Sequence, residues 1–219
     1  MESFTYALFR SLRRMDDEAN VRIDGHPTGL AWYGGYFRPD FKKPQTEPSW
    51  SKRLAQLLPS EGYPCVDSVP YPHPSLKRCK CDIVAMLSDG HRVWIEIKGA
   101  WKEYWRQNRR EWIYRSYLLH PLVGGLDAKS HTVPIDLDRL KSIRSTDGSG
   151  VGCLLVGFDS DEAPMDQDVE ELQRLAGLNR DPWMTSTTCW QDAYRPGCHV
   201  RLWFWHRGVA QDLFASPSG

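Results

Sequence analysis

The chain has 219 residues, with 28 Lys and Arg against 28 Asp and Glu, so its formal net charge is zero. That length supports one sizeable core and is short for two full domains. Neutrality argues against a nucleic-acid-coating protein, which would be basic, but not against an enzyme that gathers positive charge at one cleft. A mean hydropathy of -0.54 together with ten Trp reads as a soluble globular protein. No run reaches the length of a membrane span, and the acidic start Met1-Glu2-Ser3-Phe4 is not a secretory signal, so a cytoplasmic location is expected. The cysteines, Cys65, Cys79, Cys81, Cys153, Cys189 and Cys198, are scattered and read as reduced thiols. Neither Cys79-x-Cys81 nor Cys189 with Cys198-His199 has the paired spacing of structural zinc.

In chain order, residues 3–15 carry Phe4, Leu8, Leu12 and Met15 at helical spacing beside Arg10, Arg13 and Arg14, which predicts an amphipathic helix. Residues 16–35 are punctuated by Asp24-Gly25, Pro27, Gly29 and Gly34-Gly35. They predict turns with short strands near 30–33 and 36–38. Trp32, Tyr33, Tyr36 and Phe37 there suit packing better than base stacking. Thr46-Glu47-Pro48-Ser49 is a helix start, and Trp50, Leu54, Leu57 and Leu58 trace its apolar face. After a Pro-rich stretch, residues 65–69 predict a strand, and Tyr71-Pro72-His73-Pro74 an extended arm.

The centre of the chain is residues 79–99. Two β-rich runs, 83–87 and 92–97, flank Ser88-Asp89-Gly90, a turn signal that closes antiparallel strands. A three-residue loop with Gly90 left-handed sets Leu87 opposite His91 and Asp82 opposite Glu96, with Lys98 on the same face. The reverse face is then wholly apolar: Ile83, Ala85, Leu87, Val93, Ile95 and Ile97. A two-residue Asp89-Gly90 loop would shift the register by one and separate the two carboxylates.

Two carboxylates meeting on one face repel unless a cation sits between them. A hard ion such as Mg²⁺, with Mn²⁺ able to substitute, would take one oxygen from Asp82, one from Glu96 and the Ile97 backbone carbonyl, leaving room for water and a phosphate oxygen. Lys98 would then orient or help deprotonate the attacking water and stabilise charge on phosphorus. The competing reading makes Lys98 an ordinary cross-strand ion-pair partner of two solvated carboxylates.

Asp82 followed by Glu96-Ile97-Lys98-Gly99 resembles the motif of the PD-(D/E)xK phosphodiesterase superfamily, whose fold is restriction-endonuclease-like. Cys81 stands where the name-giving proline would be. The resemblance implies that Asp82 and Glu96 bind metal and that Lys98 is the catalytic lysine. It also implies a helix before the Asp strand, sometimes bearing a further acidic residue that faces the metal. Glu47 is the candidate for that role, against its plainer reading as a favourable charge at a helix N-terminus. Lys77, Arg78 and Lys80 crowd ahead of Asp82, where they either meet phosphate or are solvated at a strand entrance.

Beyond the motif, residues 100–119 predict a helix with Trp101, Trp105, Asn108 and Trp112 along one side and Lys102, Arg106, Arg109 and Arg110 elsewhere. Its basic side is either solvated or tracks a phosphate backbone, making Lys80, Lys102, Arg106 and Arg109 candidate nucleic-acid contacts. Residues 133–140 read as a turn leading into a short helix. Residues 151–158 read as a buried strand, resembling the superfamily strand that runs parallel to the Glu-x-Lys strand through a helical crossover. Residues 166–175 predict a helix and 199–205 a last strand.

The fold class expected is α/β, a restriction-endonuclease-like core with a central mixed β-sheet flanked by helices. One domain is expected over 1–219, with a nuclease core at about 46–159 and elaborations at 1–45 and 160–219. The implied function is Mg²⁺-dependent phosphodiester hydrolysis, on DNA rather than RNA, by a homodimer or with a partner subunit. The alternatives are a noncatalytic nucleic-acid-binding or assembly subunit of a larger defence or DNA-processing complex, and an interaction protein whose Trp-rich flanks meet a partner.

Overall fold

Apolar residues at helical spacing build the first two helices. The computed structural model describes residues 3–18, 22–23, 26–27, 47–76, 78–101, 103–106, 111–114, 133–147, 149–180 and 182–209. In α1 (Phe4–Asp17), Phe4, Leu8, Leu12 and Met15 are buried, while Arg10, Arg13 and Arg14 reach Glu61, Asp17 and Glu18. In α2 (Glu47–Leu57), Trp50, Leu54 and Leu57 are buried. Pro59 and the left-handed Gly62 (φ 91°) end it through a 3₁₀ turn. Between the helices lies a short antiparallel pair, β1 (Arg22–Ile23) and β2 (His26–Pro27). The strands expected near 30–33 and 36–38, and Trp32, Tyr33, Tyr36 and Phe37, lie outside the described residues.

Three strands then run as an antiparallel meander: β3 (Cys65–Pro70), β4 (Lys80–Met86) and β5 (Arg92–Trp101). Helix α3 (Val133–Asp147) lies between β5 and β8 (Gly150–Ser160) in the chain, and β8 pairs with β5 in parallel. After α4 (Asp166–Ala176), strands β9 (Met184–Arg195) and β10 (Cys198–Arg207) complete a six-stranded mixed sheet, in the order β3-β4-β5-β8-β10-β9. The protein is thus α/β, with helices on both faces of the sheet.

One face is covered by α1 and α2, whose side chains pack with Ile83, Ile95, Ile97, Leu154, Val156, Phe158, Leu202 and Phe204. The other is covered by α3 and α4, with Leu137, Leu140, Val169 and Leu172 against Trp94, Cys153, Leu155, Trp203 and Trp205. Strand β8 lies between the layers and is buried at every residue, as its unbroken apolar run requires. Gly152 is there because of a close approach: a Cβ on it would lie 2.4 Å from the Phe204 ring.

The helix expected over 100–119 is not present among the described residues of that range. Strand β5 continues to Trp101, and β6 (Glu103–Arg106) pairs antiparallel with β7 (Glu111–Tyr114), setting Tyr104 opposite Ile113 and Trp105 opposite Trp112. Aromatic and β-branched residues favour a pleated surface, and the Glu-Tyr-Trp-Arg and Glu-Trp-Ile-Tyr runs outweighed the looser helical spacing of the tryptophans. Among the described residues, no helix is long and apolar enough to cross a membrane.

Candidate active site

The β4–β5 hairpin has the register that its apolar alternation requires. Ile83 pairs with Ile95, Ala85 with Val93 and Met86 with Arg92, and the Leu87 N–H donates to the His91 carbonyl (2.8 Å). Gly90 is left-handed at φ 83°. All six residues of the reverse face are buried. The same register brings Asp82 level with Glu96.

The ladder changes character at that level. Its pairing ends at Ile83–Ile95, and the next N–H in phase, that of Ile97, donates instead to Asp82 Oδ2 (2.8 Å). A backbone donor that a continued ladder would have spent on Cys81 therefore orients the Asp82 carboxyl. Because N–H and C=O of one strand residue point to the same edge, the Ile97 carbonyl is directed there too. Cys81, buried beside it, has its thiol 3.2 Å from the Ile95 carbonyl and 3.3 Å from that of Ile83.

Glu96 is 3% exposed and meets two partners. The Tyr71 hydroxyl donates to its Oε1, and the carboxyl of Asp82 shares a hydrogen bond with it. Tyr71 comes from the arm between β3 and β4. Its ring stacks on Trp94 at 5.9 Å with planes 15° apart, and its N–H reaches the Cys79 carbonyl (3.3 Å). Burial, and after it the negative charges of Asp82 and Asp136, push the Glu96 carboxyl up to about 9. Burial also raises Asp82, against the opposing effect of the Ile97 N–H. Both carboxyls are therefore held above the ordinary carboxylate range, as like charges at close range resist ionising together.

Lys98, two residues along β5, is also buried, and its Nζ lies 3.0 Å from Asp136 Oδ2. Asp136 is fully buried on α3, and its Oδ1 accepts from Arg139 (2.8 Å). Asp136 and Tyr71 are the residues sequence reading missed. Asp136 had a signal: it falls within the apolar stripe Val133, Leu137, Leu140 and Ile143 of α3, where a lone acid is out of place. Tyr71 had none, since nothing local says what an aromatic in an extended arm will touch. The buried thiols of Cys81 and Cys153 are pushed well up by burial and by the neighbouring carboxylates, which suits packing and not nucleophilic chemistry.

Asp82, Glu96 and Lys98 are thus brought together, with the Ile97 backbone at the same edge. Of the other sequence-derived candidates, Lys80 is exposed at the start of β4. Glu47 opens α2 and Arg106 ends β6, but their side chains lie outside the described residues, as do Lys102 and Arg109 altogether. Among the described residues, no group of three or more His, Cys, Asp or Glu converges as a metal cage. The donor types present nonetheless suit a hard divalent ion, two carboxylates and one carbonyl edge, and a cation there would relieve the repulsion between the acids. The chain matches no family model, no curated protein and no solved structure.

Proposed function

We propose that the protein is a metal-dependent nuclease of restriction-endonuclease-like architecture that hydrolyses phosphodiester bonds, with DNA as the favoured substrate. The observation that carries this reading is the meeting of half-buried Asp82 with buried Glu96 and Lys98, on one side of a hairpin whose other side is core. The surrounding order supports it. A helix precedes the Asp strand, and after the β6–β7 pair a helix leads to a strand parallel to the Glu-x-Lys strand, an order the resemblance implies.

In this reading Asp82 and Glu96 hold Mg²⁺, or Mn²⁺ in its place, with the Ile97 carbonyl. The bound ion supplies a more acidic water and charge neutralisation at the phosphate. Each acid has one oxygen already tied: Asp82 Oδ2 by the Ile97 N–H and Glu96 Oε1 by the Tyr71 hydroxyl. This leaves the other oxygen of each as the one to meet the ion. The Lys98 ammonium faces the developing negative charge on the phosphoryl oxygens. A homodimer or a partner subunit would let two such sites cut two strands.

The test is cleavage of supercoiled DNA, linear DNA and single-stranded RNA with Mg²⁺, Mn²⁺ or EDTA, comparing the native chain with Asp82→Ala and Lys98→Ala. Metal-dependent cutting of DNA, lost in both variants, is the expected result. A native chain that neither cuts nor binds Mn²⁺ would end the nuclease reading.

A further inference from the structure

A carboxylate buried along an apolar helix stripe, even in the first turn where Asp136 stands, is costly unless its partners compensate. Asp136 is fully buried among Val133, Leu137 and Leu140, residues that α3 packs on the sheet. Arg139, one turn further on the same helix, already neutralises it through Oδ1 at 2.8 Å. Arg139 would therefore balance the charge of Asp136 even with an apolar residue on the sheet opposite. Instead Oδ2 lies 3.0 Å from the Nζ of Lys98. The contact is a close ion pair and not an aligned hydrogen bond, so it acts through charge on where the ammonium sits.

Lysine needs such a fixture more than other site residues do. Its four-carbon stem is rich in rotamers, and its ammonium has no planar fork to preorganise it. The Asp82 and Glu96 carboxyls are each pinned by a donor from outside the pair, and Asp136 does the corresponding service for the third group. The crossover helix thus reaches the chemistry on β5, although no residue of α3 belongs to the motif.

Resting on the nuclease reading, we propose that Asp136 is the positioning residue for Lys98: it holds the lysine ammonium from α3 in the place where it meets the scissile phosphate. Asp136 itself touches neither substrate nor metal. Arg139 completes its charge balance and has no direct part in placing Lys98.

The test joins a structural readout that needs no activity to a kinetic one. With ¹³Cε-labelled lysine in the full-length protein, Lys98 is assigned by the signal lost in Lys98→Arg. Its side chain is expected to be as ordered as the core in the native protein, and in Asp136→Asn as mobile as the exposed Lys52 and Lys80. In the cleavage assay, Asp136→Asn is expected to lower kcat about 10- to 100-fold while leaving KM within about twofold, the signature of a lost transition-state contact. Arg139→Met should keep Lys98 ordered and kcat within about threefold.

A native Lys98 as mobile as Lys52 overturns the proposal without any variant, so an Asp136→Asn protein that does not fold leaves it open to refutation. Lys98 order unchanged in a folded Asp136→Asn, or an equal loss of kcat in Arg139→Met, also overturns it. A native chain that cuts nothing sinks the nuclease reading alone, because the order of Lys98 is read without substrate.

Discussion

The sheet face under α3 and α4 buries two groups of charges, and they are built on opposite principles. At the N-terminal end of α4, the fully buried Asp159 accepts from the Met165 N–H at 2.9 Å and the Arg201 guanidinium at 3.0 to 3.1 Å. Arg201 goes on to grip Asp166, tying α4 to β10. Under α3, by contrast, Asp82 and Glu96 find each other, and Asp136 adds a third negative charge nearby. Burial raises the acid in both places, but only the second leaves an acid facing an acid. A cluster in which each acid meets a donor explains its own presence as structure; one in which two acids face each other is a candidate for function.

The largest expected effect separates the two clusters by activity. Asp82→Ala or Lys98→Ala should lower metal-dependent cleavage by about a thousandfold or more, the scale for removing a group that acts on transition-state charge. Arg201→Met should leave cleavage per folded molecule unchanged. Circular dichroism alongside the assay distinguishes lost chemistry from lost fold, and cleavage that fell equally in all three variants would erase the distinction.

Next comes stability. Arg201→Met leaves Asp159 buried without its cation, at an expected cost of about 3 kcal/mol in urea unfolding. Lys98→Met should cost less, because Arg139 remains on Asp136. A larger loss from Lys98→Met would make the site the structural cluster.

The raised Glu96 carboxyl gives a pH dependence whose sign is fixed. Glu96 rises from its ordinary 4.5 to about 9 on folding, so the folded chain binds more protons than the unfolded one between those values. Without metal, this contribution to stability is fully present below about pH 4.5 and is lost as pH rises toward about 9, by up to about 1.4 kcal/mol per pH unit for one proton. A cation must displace that proton, so the apparent Kd for Mn²⁺ should fall by up to about tenfold per pH unit over the same range. Calorimetry in buffers of different ionisation heat counts the proton released. Binding that releases none would mean that the pair is not the metal site.

The contrast also explains what the sequence revealed. The hairpin, its register and its buried reverse face were legible because period-two alternation and a Gly-bearing turn are local signals, and both act on the same ten or so residues. The parallel β8 was legible as a bare apolar run. What stayed hidden depends on contacts distant in the chain. Asp136 meets Lys98 across 38 positions, and Tyr71 meets Glu96 across 25. Strand β9 was missed because it is an exposed, Thr-rich edge with little apolar alternation. Residues 101–114 were misread because a Trp every four to seven positions fits a helix as well as two strands until pairing decides.

The smallest effect tests what holds Asp82 opposite Glu96. Gly90 is left-handed at φ 83°, and a Cβ there meets nothing within 4 Å, so Gly90→Ala carries only the backbone cost, about 1 to 2 kcal/mol. Gly90→Asn should cost less, since asparagine tolerates that region. Neither should move the register. A slip of β5 by one residue against β4 would turn Val93, Ile95 and Ile97 out of the core, at roughly 1.5 to 3 kcal/mol each, far more than the turn can demand. The site's geometry is therefore held by the apolar face behind it, and both variants should cut per folded molecule as the native chain does. A loss of Mn²⁺ binding in a folded Gly90→Ala would show instead that the turn sets the register.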